Sequence, residues 1–415
     1  MKKISAIAFV LGAAGCAGEP PSPVPSMQFI NGQWFDGAAF EERNASIIDG
    51  RLVFDAPVTA DAIDLNGQYV VPPYCEGHNH HFGGDADTAE ATAQHYLEDG
   101  VFYAMMPGSF KLYRDLIASD INHPKSVDVV FANNGLTGSG GHPRGLRESL
   151  MERFGNYPEF TKETLPDKGY FEAETLEEVR EKMALILAER PDLVKVMLFF
   201  SEEYESRKDD PKYYGRRGLN PDLLPEAIRI AHAAGLRVAV HVESEADMTT
   251  ALLAGADIIA HLPSYDSSVL LSDETIALAT ETNAALVTTF SLASRFQTRA
   301  PDCYAAAIEA QRENLVRLHE AGALLVIGSD GHRDTSRGEA DHIASLGVLD
   351  NATILKMWTK NCARMVFPDR KIGRLHEGYE ASFLVLENNP LEDFAATGDI
   401  IMRIKDGELL SETME

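Results

Sequence analysis

The chain has 415 residues, 45% of them hydrophobic and 24% charged, enough for a large buried core and a second, smaller unit. Its 37 Lys and Arg against 64 Asp and Glu leave a formal net charge of −27, which repels phosphate backbones and excludes nucleic acid as a partner. The acidic excess reads as a solvated surface rather than a dedicated cation-binding device.

Residues 1–16, MKKISAIAFVLGAAGC, have the build of a bacterial export signal. Lys2 and Lys3 precede an apolar run from Ile4 to Leu11, and Ala13, Ala14 and Gly15 lead to Cys16. The apolar run is too short for a permanent membrane span. Its AAGC ending resembles a lipoprotein signal, in which the cysteine is lipidated and becomes the new N-terminus. Ala13 stands where Leu is more usual, and ordinary secretory cleavage is the alternative. A Pro-rich linker over 17–26 follows. The expectation is an exported, periplasmic or cell-envelope lipoprotein that touches the membrane only through its anchor. No later apolar run reaches membrane-spanning length.

Residues 27–70 predict short strands, with Asn-Gly and Asp-Gly pairs as hairpin signals. The segment 368–415 has the same texture, so the two ends are expected to form one small composite β domain. Between them, over 71–367, apolar runs alternate with helical periodicity. The expected strands are QYVVPP, VFYAMMPG, VDVVFANNG, LVKVMLFF, RVAVHV, DIIAHLP, ALVTTFS and LLVIGSD. Intervening stretches such as TLEEVREKMALILAER, PDLLPEAIRIAHAAG and AAAIEAQRENLVRLHEAG predict helices. Eight β-then-α units imply an α/β fold, a (β/α)8 TIM-type barrel. A doubly wound open sheet is the alternative, but no GxGxxG opens the first unit.

Polar residues end several of these strands. In VPPYCEGHNHHF, side-chain alternation puts His78 and His80 on one face while Asn79 points away. His241 ends the fifth strand, His261 the sixth, and Asp330 the eighth, in phase with Val326 and Gly328. Barrel strands open at their C-terminal ends onto the active-site face. One such histidine would be read as a satisfied core residue; four with an aspartate, placed alike, indicate metal ligands. Lys195 lies inside the strand LVKVMLFF, where an ammonium is costly unless paired. One reading is a structural salt bridge. The other is a neutral amine that reacts with carbon dioxide to give a carbamate, an anionic ligand able to bridge two cations.

The ordered set His78-Asn79-His80, Lys195, His241, His261 and Asp330 resembles the amidohydrolase superfamily, over nearly the whole chain after the signal. GRLHEGYEASFLVLENNP is similar to that family's closing segment, and TKNCARMV to its last helix. The resemblance implies two divalent metal ions, for which zinc is the best match to imidazole and carboxylate ligands. It implies that His78 and His80 hold one ion, His241 and His261 the other, with carbamylated Lys195 as the bridge. Asp330 is implied as a ligand of the first ion and as the general acid/base, with hydroxide between the metals as nucleophile. Glu76 departs from the pattern, where Asp is frequent, as does Ala381-Ser382, where Ala-Asp is common.

The expected activity is hydrolysis of C–N bonds in small substrates, a dipeptide or N-acyl amino acid being favoured. Cyclic amide, lactone or phosphotriester hydrolysis are alternatives on the same ligands, and a non-catalytic ligand-binding lipoprotein is the alternative of another class. His142 sits in a glycine-rich GGH loop like those of imidazolonepropionase-like and Xaa-Pro or Xaa-Arg dipeptidase-like members. It is read either as a substrate-binding residue or as a loop histidine in solvent. Tyr213, Tyr214, Arg216 and Arg217 could meet a substrate carboxylate or belong to a solvated lid. His81 is read as a supporting or exposed residue, and His332 as a candidate for the mouth. Cys75, Cys303 and Cys362 predict three buried or half-buried thiols, with at most one disulfide.

Overall fold

The computed structural model describes residues 26–83, 86–263, 268–331 and 334–412. The export signal, Cys16 and His332 lie outside the described residues. Five strands open the chain: β1 Met27–Phe35, β2 Phe40–Ile48, β3 Arg51–Phe54, β4 Ile63–Asp64 and β5 Tyr69–Val71. The pairs Asp36-Gly37 and Asp49-Gly50 connect β1 to β2 and β2 to β3, with Asp49 and Gly50 both at positive φ as a tight hairpin requires. Asn31-Gly32 behaves otherwise. Asn31 has φ 56°, and the register shifts between Phe29 and Gly32, so this pair makes a bulge inside β1 rather than a turn.

Ten parallel strands follow: β6 Tyr74–Glu76, β7 Val101–Met106, β8 Asp128–Phe131, β9 Gly135–Thr137, β10 Phe171–Glu172, β11 Val194–Met197, β12 Val238–His241, β13 Ile258–Ile259, β14 Ala285–Val287 and β15 Leu324–Val326. They pair as β6-β7-β8 and as β10-β9-β11-β12-β13-β14-β15. Every residue of β7, β8, β11 and β12 is buried, as expected of strands covered on both faces. Backbone bonds join the two sheets at both margins: Gly77 N–H donates to Ile327 O at 3.0 Å, and Asp192 N–H to Phe131 O at 2.8 Å. The result is a TIM-barrel-like α/β unit. Two of its intervening helices start on reciprocal side-chain boxes: Thr175 with Glu178 before Leu176–Ala188, and Ser244 with Asp247 before Glu245–Ala254.

Strands β16 Phe383–Leu386, β17 Ile400–Lys405 and β18 Glu408–Glu412 return to the opening strands, giving the order β18-β17-β16-β5-β1-β2-β3 with β4 beside β1. The run QYVVPP therefore belongs to this terminal sheet, because Val70 and Val71 pair with β16, and the parallel sheet starts two prolines later at Tyr74. The third expected strand is broken at Asn133, whose φ is 56°, into β8 and β9.

The expectation of three thiols is corrected. Cys75 and Cys362 form a disulfide with Cα atoms 5.7 Å apart, and Cys303 is free and exposed. A register shift between Tyr74 and Cys75 lets both face the last helical segment, where Tyr74 stacks on Trp358 at 3.7 Å. The fold thus brings together cysteines 287 positions apart. Among the described residues no helix is long and apolar enough to cross a membrane.

Candidate active site

The chain leaves β6 as Gly77-His78-Asn79-His80 and leaves β15 as Gly328-Ser329-Asp330-Gly331, side by side. The two glycines permit this approach. A Cβ on Gly77 would fall 2.7 Å from Ile327 O, and one on Gly328 2.7 Å from His78 N and 2.6 Å from a Val287 methyl. Asp330 sits at φ 48°, a left-handed conformation uncommon for any residue with a side chain. Its Oδ1 lies 3.3 Å from His78 Nε2 and 3.0 Å from His80 Nε2.

The far nitrogens explain why the Nε2 atoms face Asp330. His78 Nδ1 lies 2.6 Å from Ala260 O, and His80 Nδ1 3.1 Å from Gly108 O. A carbonyl only accepts, so each Nδ1 carries the proton and each Nε2 keeps its lone pair. Two lone pairs and a carboxylate oxygen then converge, with ligand atoms within 4.8 Å of one another. Asn79 points elsewhere, its Nδ2 donating to Met105 O at 2.9 Å.

Across the same opening, His261 Nε2 and His241 Nδ1 face each other at 2.7 Å. His241 Nε2 lies 3.3 Å from Glu243 Oε1, and Nδ1 is the nitrogen turned toward His261. The His78 and His261 rings are 5.9 Å apart, so the two pairs of histidines face one space. Lys195 Nζ is buried on β11 and has no hydrogen-bond partner among the described residues. A structural salt bridge would have supplied one.

Burial sets the protonation states. It pushes His78 and His241 well below the usual imidazole range, His261 to about 4 and His142 to about 3. It brings the Lys195 amine down to about 7, with Asp330 opposing. For Asp330 burial acts against charge, but His78, His80 and His261 outweigh it and hold the carboxyl well below the usual carboxylate range. Neutral rings, an ionised carboxylate and a partly neutral amine are the forms that a cation and a carbamate require. The orphaned Nζ and the converging nitrogens fit a pair of metal ions.

His142 is half-buried, not free in solvent, and its ring stacks on His241 at 4.9 Å. Its N–H donates to Arg217 O at 2.8 Å, and Gly215 N–H to Gly140 O at 2.7 Å, so the segment after β11 is strapped to the glycine-rich loop. Within that strap Tyr214 OH donates to Glu148 at 2.8 Å, Tyr213 lies under the Arg207 guanidinium, and Arg216 is exposed. Arg217 Nε is buried without a hydrogen-bond partner among the described residues. His81 Nδ1 lies 2.9 Å from Tyr96 OH, a supporting position behind the ligands.

Two buried carboxyls shape the site: sequence reasoning passed over Asp247 and noted Glu76 only as a departure from the family pattern. Asp247 accepts from Phe200 N at 2.8 Å, Ser201 N at 2.6 Å and Glu243 N at 2.9 Å, tying the loop after β11 to that after β12. Glu76 accepts from His78 N at 3.0 Å, Ser329 N at 2.8 Å and Ser329 Oγ at 2.8 Å. Its signal was available: an acidic residue inside an apolar strand, in phase with His78 and His80.

Comparison with known proteins agrees with this geometry. A profile of the Amidohydrolase family matches residues 146–410. The chain belongs to the amidohydrolase family. As a family member it is a hydrolase acting on C–N bonds. It is 27% identical to ochratoxinase of Aspergillus niger over 348 residues, 75% of this chain and 69% of that protein. The crystal structure of A. niger ochratoxinase matches with TM-score 0.73 at 20% identity, covering 93% of this chain and 96% of that one. A Xaa-Pro dipeptidase with bound methionine in its active site matches with TM-score 0.72 at 17% identity, covering 93% and 99%. These amidohydrolase structures share the TIM-barrel-like fold with this chain.

Proposed function

We propose that this amidohydrolase is a metal-dependent hydrolase of amide bonds in small substrates, a dipeptide or N-acyl amino acid. The observation that carries the reading is the convergence of His78, His80 and Asp330 opposite His241, His261 and the unpartnered Lys195. His78, His80 and Asp330 would hold one divalent ion, His241 and His261 a second, and the carbamate of Lys195 would join them. Zinc suits these donors. When bound, the ions acidify water and polarise a carbonyl. The chain's own groups do the rest. Asp330, kept ionised by its neighbours, accepts the proton of the attacking water and passes it to the leaving nitrogen. His142, kept neutral by burial, retains one ring N–H that can donate to the substrate's carbonyl or carboxylate. The ochratoxinase and Xaa-Pro dipeptidase relatives support an amide substrate.

The same reading takes nine of the ten parallel strands as eight positions of a (β/α)8 barrel over 71–367, with β8 and β9 sharing one and β10 an added edge strand beside β9, and 27–70 with 368–415 as a composite β domain. It keeps the chain as an exported lipoprotein anchored at Cys16. The Cys75–Cys362 disulfide supports that location, since such bonds persist in oxidising compartments. The test is a screen of dipeptides, N-acyl amino acids, cyclic amides, lactones and phosphotriesters against the zinc-loaded enzyme and its Asp330→Asn variant. Turnover of a linear amide by the wild type alone is expected. Turnover confined to lactones or phosphotriesters, or equal in the variant, would overturn the reading.

A further inference from the structure

The histidine strand and the aspartate strand must hold their ligands in one fixed relation, and a buried carboxyl on the first strand links them. Glu76 is fully buried, two positions before His78 and in phase with both histidines. One carboxyl oxygen accepts the backbone N–H of His78 on its own strand and that of Ser329 on the neighbouring one. The other accepts the Ser329 hydroxyl. Ser329 Oγ in turn accepts from Gly331 N at 3.0 Å, on the far side of Asp330. Two more bonds complete the frame: Asp330 N–H donates to His78 O at 2.7 Å, and His80 N–H to Gly331 O at 3.0 Å. Asp330 at φ 48° is thus restrained through both chain neighbours, and Glu76, His78 and His80 on the other strand supply most of the restraints.

We propose that Glu76 and Ser329 form a clamp that sets the geometry of the His78–His80–Asp330 ligand group, Glu76 being a positioning residue that never touches the ion. The proposal rests on the reading of that group as a cation site. Length matters here. An aspartate at position 76 would be shorter by one methylene and would not keep both the His78 and the Ser329 contacts from the present backbone.

The test uses the full-length protein stripped of metal, titrated with cobalt(II) and followed by visible absorption, which reports ligand geometry. Wild type, Glu76→Asp, Ser329→Ala and the double variant are compared, with far-ultraviolet circular dichroism confirming the fold. Each single variant is expected to weaken cobalt binding by about 10–100-fold and to alter the absorption bands, as loss of groups behind metal ligands does. The double variant is expected to be little worse than either single one, because both break the same link. If the variants lower only the melting temperature and keep wild-type affinity and bands, Glu76 is merely structural and the clamp is refuted. Additive losses would also refute it, by showing two independent effects. If folded wild-type protein binds no cobalt while its spectra stay native, the cation-site reading itself fails.

Discussion

Removing the Cys75–Cys362 crosslink tests how the ring of strands is held shut. The bond closes a loop of 287 residues and joins β6, which leads into the first histidine pair, to the last helical segment. In the chain-entropy picture a loop this long gives a ceiling of about 5–6 kcal/mol at 25 °C. The folded ends are also held without it, by Tyr74 stacked on Trp358 and by Asn361 Nδ2 donating to Leu325 O at 2.9 Å. The expected loss is therefore the typical 2–4 kcal/mol. Unfolding entropy for a chain of this size is about 0.8 kcal/mol/K, so Tm should fall by about 3–5 °C in the Cys75→Ala/Cys362→Ala variant, read by calorimetry. Thiol titration of denatured, unreduced protein lacking the first 25 residues should find Cys303 alone. Three reactive thiols, or a variant as stable as the oxidised wild type, would refute the reasoning.

Other expectations concern single side chains. Asp330→Asn should keep the fold and lower kcat by about 10²–10⁴, since the proton carrier is lost; near-normal kcat would reassign the acid/base. Lys195→Ala should lose bound metal as measured by elemental analysis, with partial recovery in added acetate or propionate, and full metal retention without them would remove the carbamate bridge. His142→Ala should cost about 10²–10³ in kcat/KM if the ring donates to the reacting carbonyl. Glu339 is pushed by burial from 4.5 up to about 7, so the folded protein keeps a proton that the unfolded chain loses. Its contribution is complete below about pH 4.5 and lost as pH rises through about 7, on the order of 3 kcal/mol, and Glu339→Gln should flatten the stability–pH curve in that window.

The candidate ligands could be picked out because each follows an apolar run, and the structure brings His78 and His80 to Asp330, His241 to His261 and His261 near His78. Lys195 was legible for its cost, a cation in a buried strand. What stayed hidden depends on distant partners. Nothing near Cys75 or Cys362 announces the other, since only the fold brings them together. Glu76 was seen as a departure from the family pattern, but its bonds to Ser329 cross 253 positions of sequence. Asn31-Gly32 carried a turn signal that strand pairing on both sides overrode. The break at Asn133 did carry a signal, the Asn133-Asn134-Gly135 run, but that run read as the end of the third strand, whereas a further strand resumes at Gly135.

The most direct measurement of the central claim is metal content against activity. Elemental analysis of purified, active wild-type protein should find about two transition-metal ions per chain, and chelation should abolish amide hydrolysis until they are restored. Folded, metal-free protein with undiminished hydrolase activity would contradict it.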